Sequence, residues 1–144
     1  MNPSQWIGSL LKKSDTSLDR VRIVNVSRQI ELATSVQIAD CGSKRRRGLL
    51  GRKTLAEGEG LWIVPCEAVH TFGMQFPIDL VYLDRNLRVR SVRHHVPPGR
   101  LSACFTAHSV LELASGTARK SGTIPGEILE FLPAPLHAEP SVVR

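Results

Sequence analysis

The stretch IDLVYLDRNLRVRSVRHHV, residues 78–96, decides the fold. Ile78–Leu83 is apolar on both faces, the mark of a central strand covered on both sides. Asp84-Arg85-Asn86 then reads as a hairpin loop, with Asn86 tolerating a left-handed backbone. The returning strand breaks phase. Leu87 and Val89 share one face, whereas Val92, His94 and Val96 fall on the other. A one-residue bulge near Arg90-Ser91 restores a single inner face of Leu87, Val89, Val92, His94 and Val96. Arg88, Arg90, Arg93 and His95 then point outward.

Working outward, most of the chain reads as further strands. These are Arg22–Val26, Ser35–Ala39, Leu61–Val64, Ala68–Met74, Ser109–Leu113 and Glu127–Leu132. Ile124-Pro125-Gly126-Glu127 has the form of a type II turn. Helix is scarce: Ser43–Gly51 and Ser115–Ser121 are short candidates, ended by Gly51 and Gly122. The pattern predicts a mainly β protein, a jelly-roll-like sandwich or partly closed barrel with two short helices. The single domain is expected over 21–132, between tails at 1–20 and 133–144.

With 144 residues, 42% hydrophobic and 22% charged, the chain has the size and composition of one self-sufficient globular domain. Three cysteines, Cys41, Cys66 and Cys104, read as reduced thiols rather than a disulfide framework. No apolar run reaches the roughly 20 residues of a spanning helix. Met1–Lys13 lacks the basic start and apolar run of a secretory signal, which points to the cytoplasm. Trp6, Ile7, Leu10 and Leu11 fall on one helical face there.

The net charge is +6. Between Val21 and Leu132 stand 15 basic and 10 acidic residues, so the excess lies within the domain. One basic run is Lys44–Arg47, and Arg88, Arg90 and Arg93 form a second group that could meet an acidic protein partner. Aromatic residues are only 5%, and none interleaves with the arginines, which argues against single-stranded nucleic acid.

Several residues invite a chemical reading. His70, Phe72 and Met74 share one face of the 68–74 strand, where packing alone would favour aliphatic residues. Asp79 begins a doubly apolar strand, where a carboxylate is costly to bury unless paired. Arg47 on the first short helix is a natural partner. Together with an inward His94, these residues could line a polar pocket in which Arg47 holds a small anionic ligand. A Cys/His enzyme would use Cys104 with His70, or Asp79 with a histidine as general base. Cys66-x-x-x-His70 and Cys104-x-x-x-His108 resemble a zinc pair, and with Met74 they suggest a soft metal such as copper or zinc. Positions four apart in a strand lie roughly 13 Å from each other, however, which does not suit one tetrahedral ion. Gly51-Arg52-Lys53-Thr54 fails the phosphate-loop pattern, because an Arg intervenes and Gly48 is too close. No cofactor motif is present.

These residues also carry a resemblance. Arg47-Gly48-Leu49-Leu50-Gly51-Arg52 resembles the "R-G-L-M-x-R" segment of the domain of unknown function 192 family, and Gly58-Glu59-Gly60-Leu61 its "G-x-G-M" step. His70–Met74, Pro77-Ile78-Asp79 and Leu83-Asp84 resemble its central "H-x-F-x-M … P-L-D-x-x-F-x-D" signature. Val110–Gly116 is similar to "V-L-E-L-x-A-G", and Pro125-Gly126-Glu127 to the closing "P-G-D". The pieces run in the family's order from about Val36 to Leu132. The resemblance implies a bacterial or archaeal protein, a mainly β jelly-roll-like sandwich, and no established activity. Gly73 stands where many members have Trp, implying open space beside His70 and Met74. The Met74-to-Pro77 spacing is short, and Cys66 and Cys104 match positions in the sub-group with that shortened loop, implying that they face each other.

Overall fold

The computed structural model describes residues 20–134. The helical face at Trp6–Leu11 and most of both expected tails lie outside the described residues. Nine strands appear in chain order: β1 Arg20–Asn25, β2 Ile30–Ala39, β3 Glu59–Ile63, β4 Ala68–His70, β5 Ile78–Leu83, β6 Val89–Val96, β7 Leu101–Ala103, β8 Ser109–Ala114 and β9 Leu129–Pro133. Two short helices join them, α1 Gly42–Arg47 and α2 Thr117–Ser121. Seven strands form one curled sheet in the order β6-β5-β8-β3-β2-β1-β9, and β4 pairs with β7 as a separate ribbon. Only β2 and β3 are parallel within the large sheet, and their crossover carries α1.

The sheet is a partly closed barrel. Its edge strands meet at one end, where Arg88 bridges to Ile128. There the Leu129 amide donates to the Leu87 carbonyl at 3.0 Å, and the Val89 amide to Glu127 at 2.8 Å. The expected turn at Ile124–Glu127 delivers this contact, with Gly126 at φ +94. Closure at one end satisfies edge amides that would otherwise stay open.

Strand alternation divides the apolar residues into two clusters. One fills the barrel interior and contains Val36, Trp62, Val81, Leu111, Leu113 and Phe131. Trp62 and Phe131 pack edge to face across it at 4.6 Å. The other lies on the opposite face, where Leu61, Ile63, Leu80, Tyr82 and Val110 meet Leu49, Leu55 and Met74. The loop after α1 and the β4–β7 ribbon cover this second face, and the Tyr82 hydroxyl donates to Ser102 at 2.7 Å. This double cover explains why every residue of β5 and β8 is buried.

Gly60 on β3 marks the closest approach in the sheet. A Cβ there would lie 2.7 Å from the Glu112 carbonyl and 3.0 Å from a Leu113 methyl. Gly60→Ala is therefore expected to destabilise the fold by about 2 kcal/mol, because the obstruction is backbone rather than a flexible side chain. Urea denaturation measures this, and an unchanged midpoint would contradict the packing described.

The bulge expected on β6 is present: Tyr82 pairs with Ser91 and Leu83 with Val89, leaving Arg90 extra. A second one follows, since Ile78 pairs with Val96 and Leu80 with Arg93. It places His95 at φ +48 and leaves His94 exposed, so His94 does not point inward. In the hairpin the left-handed residue is Leu87, at φ +60, and not Asn86. The Asp84 carboxylate accepts from the Asn86 and Arg88 amides at 2.9 and 3.0 Å, and burial of the Leu87 side chain offsets its backbone strain.

Candidate functional site

The 68–74 segment departs from the expected strand. β4 ends at His70 and the chain turns through Thr71–Met74. Thr71 holds the turn: its hydroxyl donates to the Pro97 carbonyl at 2.7 Å and accepts from the Arg100 amide at 2.9 Å. Met74 is thereby tucked under the loop after α1, while His70 and Phe72 stay outside and stack at 5.3 Å. Gly73, at φ +78, does not leave an open space. A Leu50 methyl lies 3.4 Å from where a side chain would begin.

Beneath this turn, between α1 and β4, lies a cavity of about 500 Å³. Arg45, Arg46 and Arg47 stand along it, with His70 on β4 and Cys66 in the β3–β4 turn. Ile63, Leu49, Val69 and Met74 supply apolar surface. Arg45 fixes the helix to the sheet, its Nη1 donating to the carbonyls of Asp40 and Val64 at 3.2 and 3.3 Å. Among the described residues, the side chains of Arg46 and Arg47 form no hydrogen bond or ion pair within the fold, and both residues are exposed.

Glu112 also lines the cavity. It sits in the middle of β8 between Leu61 of β3 and Leu80 of β5, and is 4% exposed. Its Oε2 has no hydrogen-bond partner among the described residues. Burial alone pushes its carboxyl up to about 7. The Cys66 thiol is also raised, first by burial and then, among other causes, by the Glu112 charge, and its Sγ donates to the Ala68 carbonyl at 3.1 Å. Cys66 is thus held as a thiol rather than a nucleophilic thiolate.

Of the residues expected to form one pocket, Arg47, His70 and Met74 do meet here. Asp79 does not. It pairs with Leu113 and shares the barrel-interior face with Val81, across the sheet from Arg47. Its Oδ1 accepts from the His95 amide at 2.8 Å and its Oδ2 from the Ala118 amide at 2.9 Å. Two backbone donors, rather than an arginine, compensate this fully buried carboxylate. His94 lies out on β6, away from the cavity.

The cysteines are free thiols. Cys104 follows β7, its Sγ beside the Thr106 hydroxyl at 3.5 Å, and no histidine bonds to it. His108 lies at the foot of β8, its imidazole lowered by burial and by Arg85. Among the described residues, no three His, Cys, Asp or Glu side chains gather closely enough to share one metal ion. Arg88, just before β6, and Arg90 and Arg93 on it are exposed, and each donates within the fold, to Gly126, Thr106 and Ser91 respectively.

A second cavity, of about 590 Å³, lies at the far end of β8 beside α2. Of its charged residues, Lys120 and Glu57 pair with each other at 2.6 Å, and Arg119 stands beside them on α2. The smaller cavity differs in bringing two unpaired arginines, Arg46 and Arg47, together with a buried, unpartnered carboxyl, Glu112.

Sequence reasoning missed Glu112, although the signal was present. It is an acid in a strand with Val110, Leu111 and Leu113 around it, the same pattern that singled out Asp79.

The DUF192 family profile, described as "Uncharacterized ACR", matches residues 23–131. Two solved structures are similar. A proposed transcription regulator from Sinorhizobium meliloti 1021 is 25% identical, with a TM-score of 0.69 over 78% of this chain and 92% of that one. A protein of unknown function from Novosphingobium aromaticivorans is 20% identical, with a TM-score of 0.67 over 77% of this chain and 83% of that one. No curated protein matches the chain.

Proposed function

The chain belongs to the DUF192 family, and from that premise we propose that this member is a binding module whose cavity between α1 and β4 takes a small anionic ligand. One observation carries the reading: Arg46 and Arg47 stand unpaired beside a half-apolar cavity of about 500 Å³. Arg88 and Arg90, by contrast, donate to Gly126 and Thr106 in the fold. An unpaired guanidinium beside a concave apolar surface suits a carboxylate or phosphate joined to a small apolar body. Arg45, anchored by two carbonyls, orients the helix that presents its neighbours. His70, stacked on Phe72, forms the opposite wall.

Among the described residues, no nucleophile beside the cavity is paired with a base, which favours binding over hydrolysis. Cys66 is a half-buried thiol donating to a carbonyl, and among the described residues Cys104 bonds to no histidine.

The test is thermal stabilisation by a panel of small carboxylates and phosphates. A ligand that stabilises the protein should bind at least about 10-fold more weakly to Arg47→Ala, and more weakly at high salt. Arg119→Ala, on α2, should leave it unchanged. Equal stabilisation of the Arg47→Ala variant would remove this arginine from the site and overturn the reading.

A further inference from the structure

The proposed anion pocket has a second pole. Three arginines stand along the cavity, while a single carboxyl, Glu112, sits in its lining at the centre of the sheet. Leu61 and Leu80 flank it from the neighbouring strands, and Val110 and Ala114 adjoin it along β8. The described residues supply nothing to answer it. Oε2 is unpartnered, and Arg45, the anchored arginine of α1, spends a guanidinium nitrogen on the carbonyls of Asp40 and Val64. A buried acid with neither counter-ion nor hydrogen bond is half of an ion pair. In a cavity open to a ligand, the other half can come from outside. A plain cation suits the site poorly, because three arginines line the same cavity. A molecule with a negative end as well answers both poles.

We propose that Glu112 is the counter-ion for a ligand ammonium group, so that the cavity takes a small zwitterion with its anionic end on the Arg45–Arg47 side and its ammonium at Glu112. This rests on the anion-pocket reading and adds the second pole to it.

The other charged and titratable groups lining the cavity with Glu112 are Arg45, Arg46 and Arg47 of α1, Cys66 of the β3–β4 turn and His70 of β4, and Tyr82 of β5 lies on the same face of the sheet. Cys66 and Tyr82 are both raised by burial and stay protonated near neutrality. Glu112, pushed up to about 7, is half protonated at pH 7. An incoming ammonium favours the carboxylate and so releases about half a proton per ligand at that pH.

The experiment uses titration calorimetry at pH 7 in buffers of different ionisation enthalpy. The probes are β-alanine, γ-aminobutyrate and ε-aminocaproate, each beside its matched alkanoate and alkylamine. At least one amino acid should bind about 10-fold more tightly than either matched analogue, with proton release. Glu112→Gln should remove both the advantage and the release, while alkanoate binding persists. The proton release is read on the unsubstituted protein, so it stands even if the variant folds poorly. An alkanoate binding as tightly as its amino acid would overturn the ammonium site and leave the anion pocket intact. An alkylamine binding as tightly as its amino acid would overturn the arginine pole, and with it both readings. No binding by any probe would overturn the zwitterion proposal, and the anion pocket would then stand or fall on the Arg47→Ala panel.

Discussion

Glu112→Gln should make this protein more stable at pH 8 than the unsubstituted chain, and no more stable at pH 4. In the folded protein the carboxyl keeps its proton up to about 7, against 4.5 for an ordinary glutamate. Between these values the folded state holds more protons than the unfolded one, so stability falls as pH rises. The stability contributed by neutral Glu112 is complete below about 4.5 and is lost as pH passes through about 7. Each pH unit of separation corresponds to about 1.4 kcal/mol, so the whole loss is about 3 kcal/mol. Glutamine keeps the shape and never ionises. The difference in melting temperature between the two proteins should therefore open on the order of 10 °C between pH 4 and pH 8. Comparing the two isolates Glu112 from the depressed carboxyls, such as Glu127 beside Arg28, whose effect runs in the opposite direction and is common to both. Parallel melting curves across this range would show that the carboxyl is not held neutral by burial.

Asp79→Ala should be the most damaging single change outside the apolar core. It removes the acceptor of two amides, His95 on the second bulge of β6 and Ala118 in α2. Hydrogen bonds to a charged group contribute about 1.5–3 kcal/mol each, and the orphaned Ala118 amide stays buried, so a loss of about 3–5 kcal/mol is expected. The urea midpoint should fall by roughly 2 M. Asp79→Asn keeps one acceptor but turns an NH2 toward the other amide, and should cost about half as much. His95 and Ser115, whose side chains meet at 2.6 Å, lie beside this junction and should loosen with it in hydrogen exchange. A near-normal midpoint for the alanine variant would contradict a role for Asp79 in joining β6 to α2.

These two acids show where a reading of residues succeeds and where it stops. Each stands among apolar neighbours in a strand, and period-two alternation assigns each to one of two faces. Alternation alone does not say which face looks into the barrel and which lies under α1. The partner first suggested for Asp79, Arg47, is on the other side of the sheet. The acid on Arg47's side is Glu112, whose strand pairs with β5 one residue out of step with Asp79. The β6 bulge at Arg90 was legible because the hydrophobic phase changes there. The second bulge was not, because His94 and His95 carry no phase, and it turns His94 outward. The strand expected at Ala68–Met74 stops at His70 because the Thr71 hydroxyl bonds to Pro97 and Arg100, a contact almost thirty residues away in sequence.

From the residues alone came the β class, the central doubly covered strand, the first bulge, the closing turn and the family likeness. All rest on local periodicity and turn chemistry, which act over a few neighbours. Tertiary structure decided which charges are answered and which are not. Asp79 meets two backbone amides, Arg45 two carbonyls, and Glu112, Arg46 and Arg47 nothing within the fold. That distinction depends on strand order and on where α1 crosses the sheet. Buried charge is compensated only by groups brought close in space, and closeness between β8 and α1, more than sixty residues apart, is a property of the folded sheet.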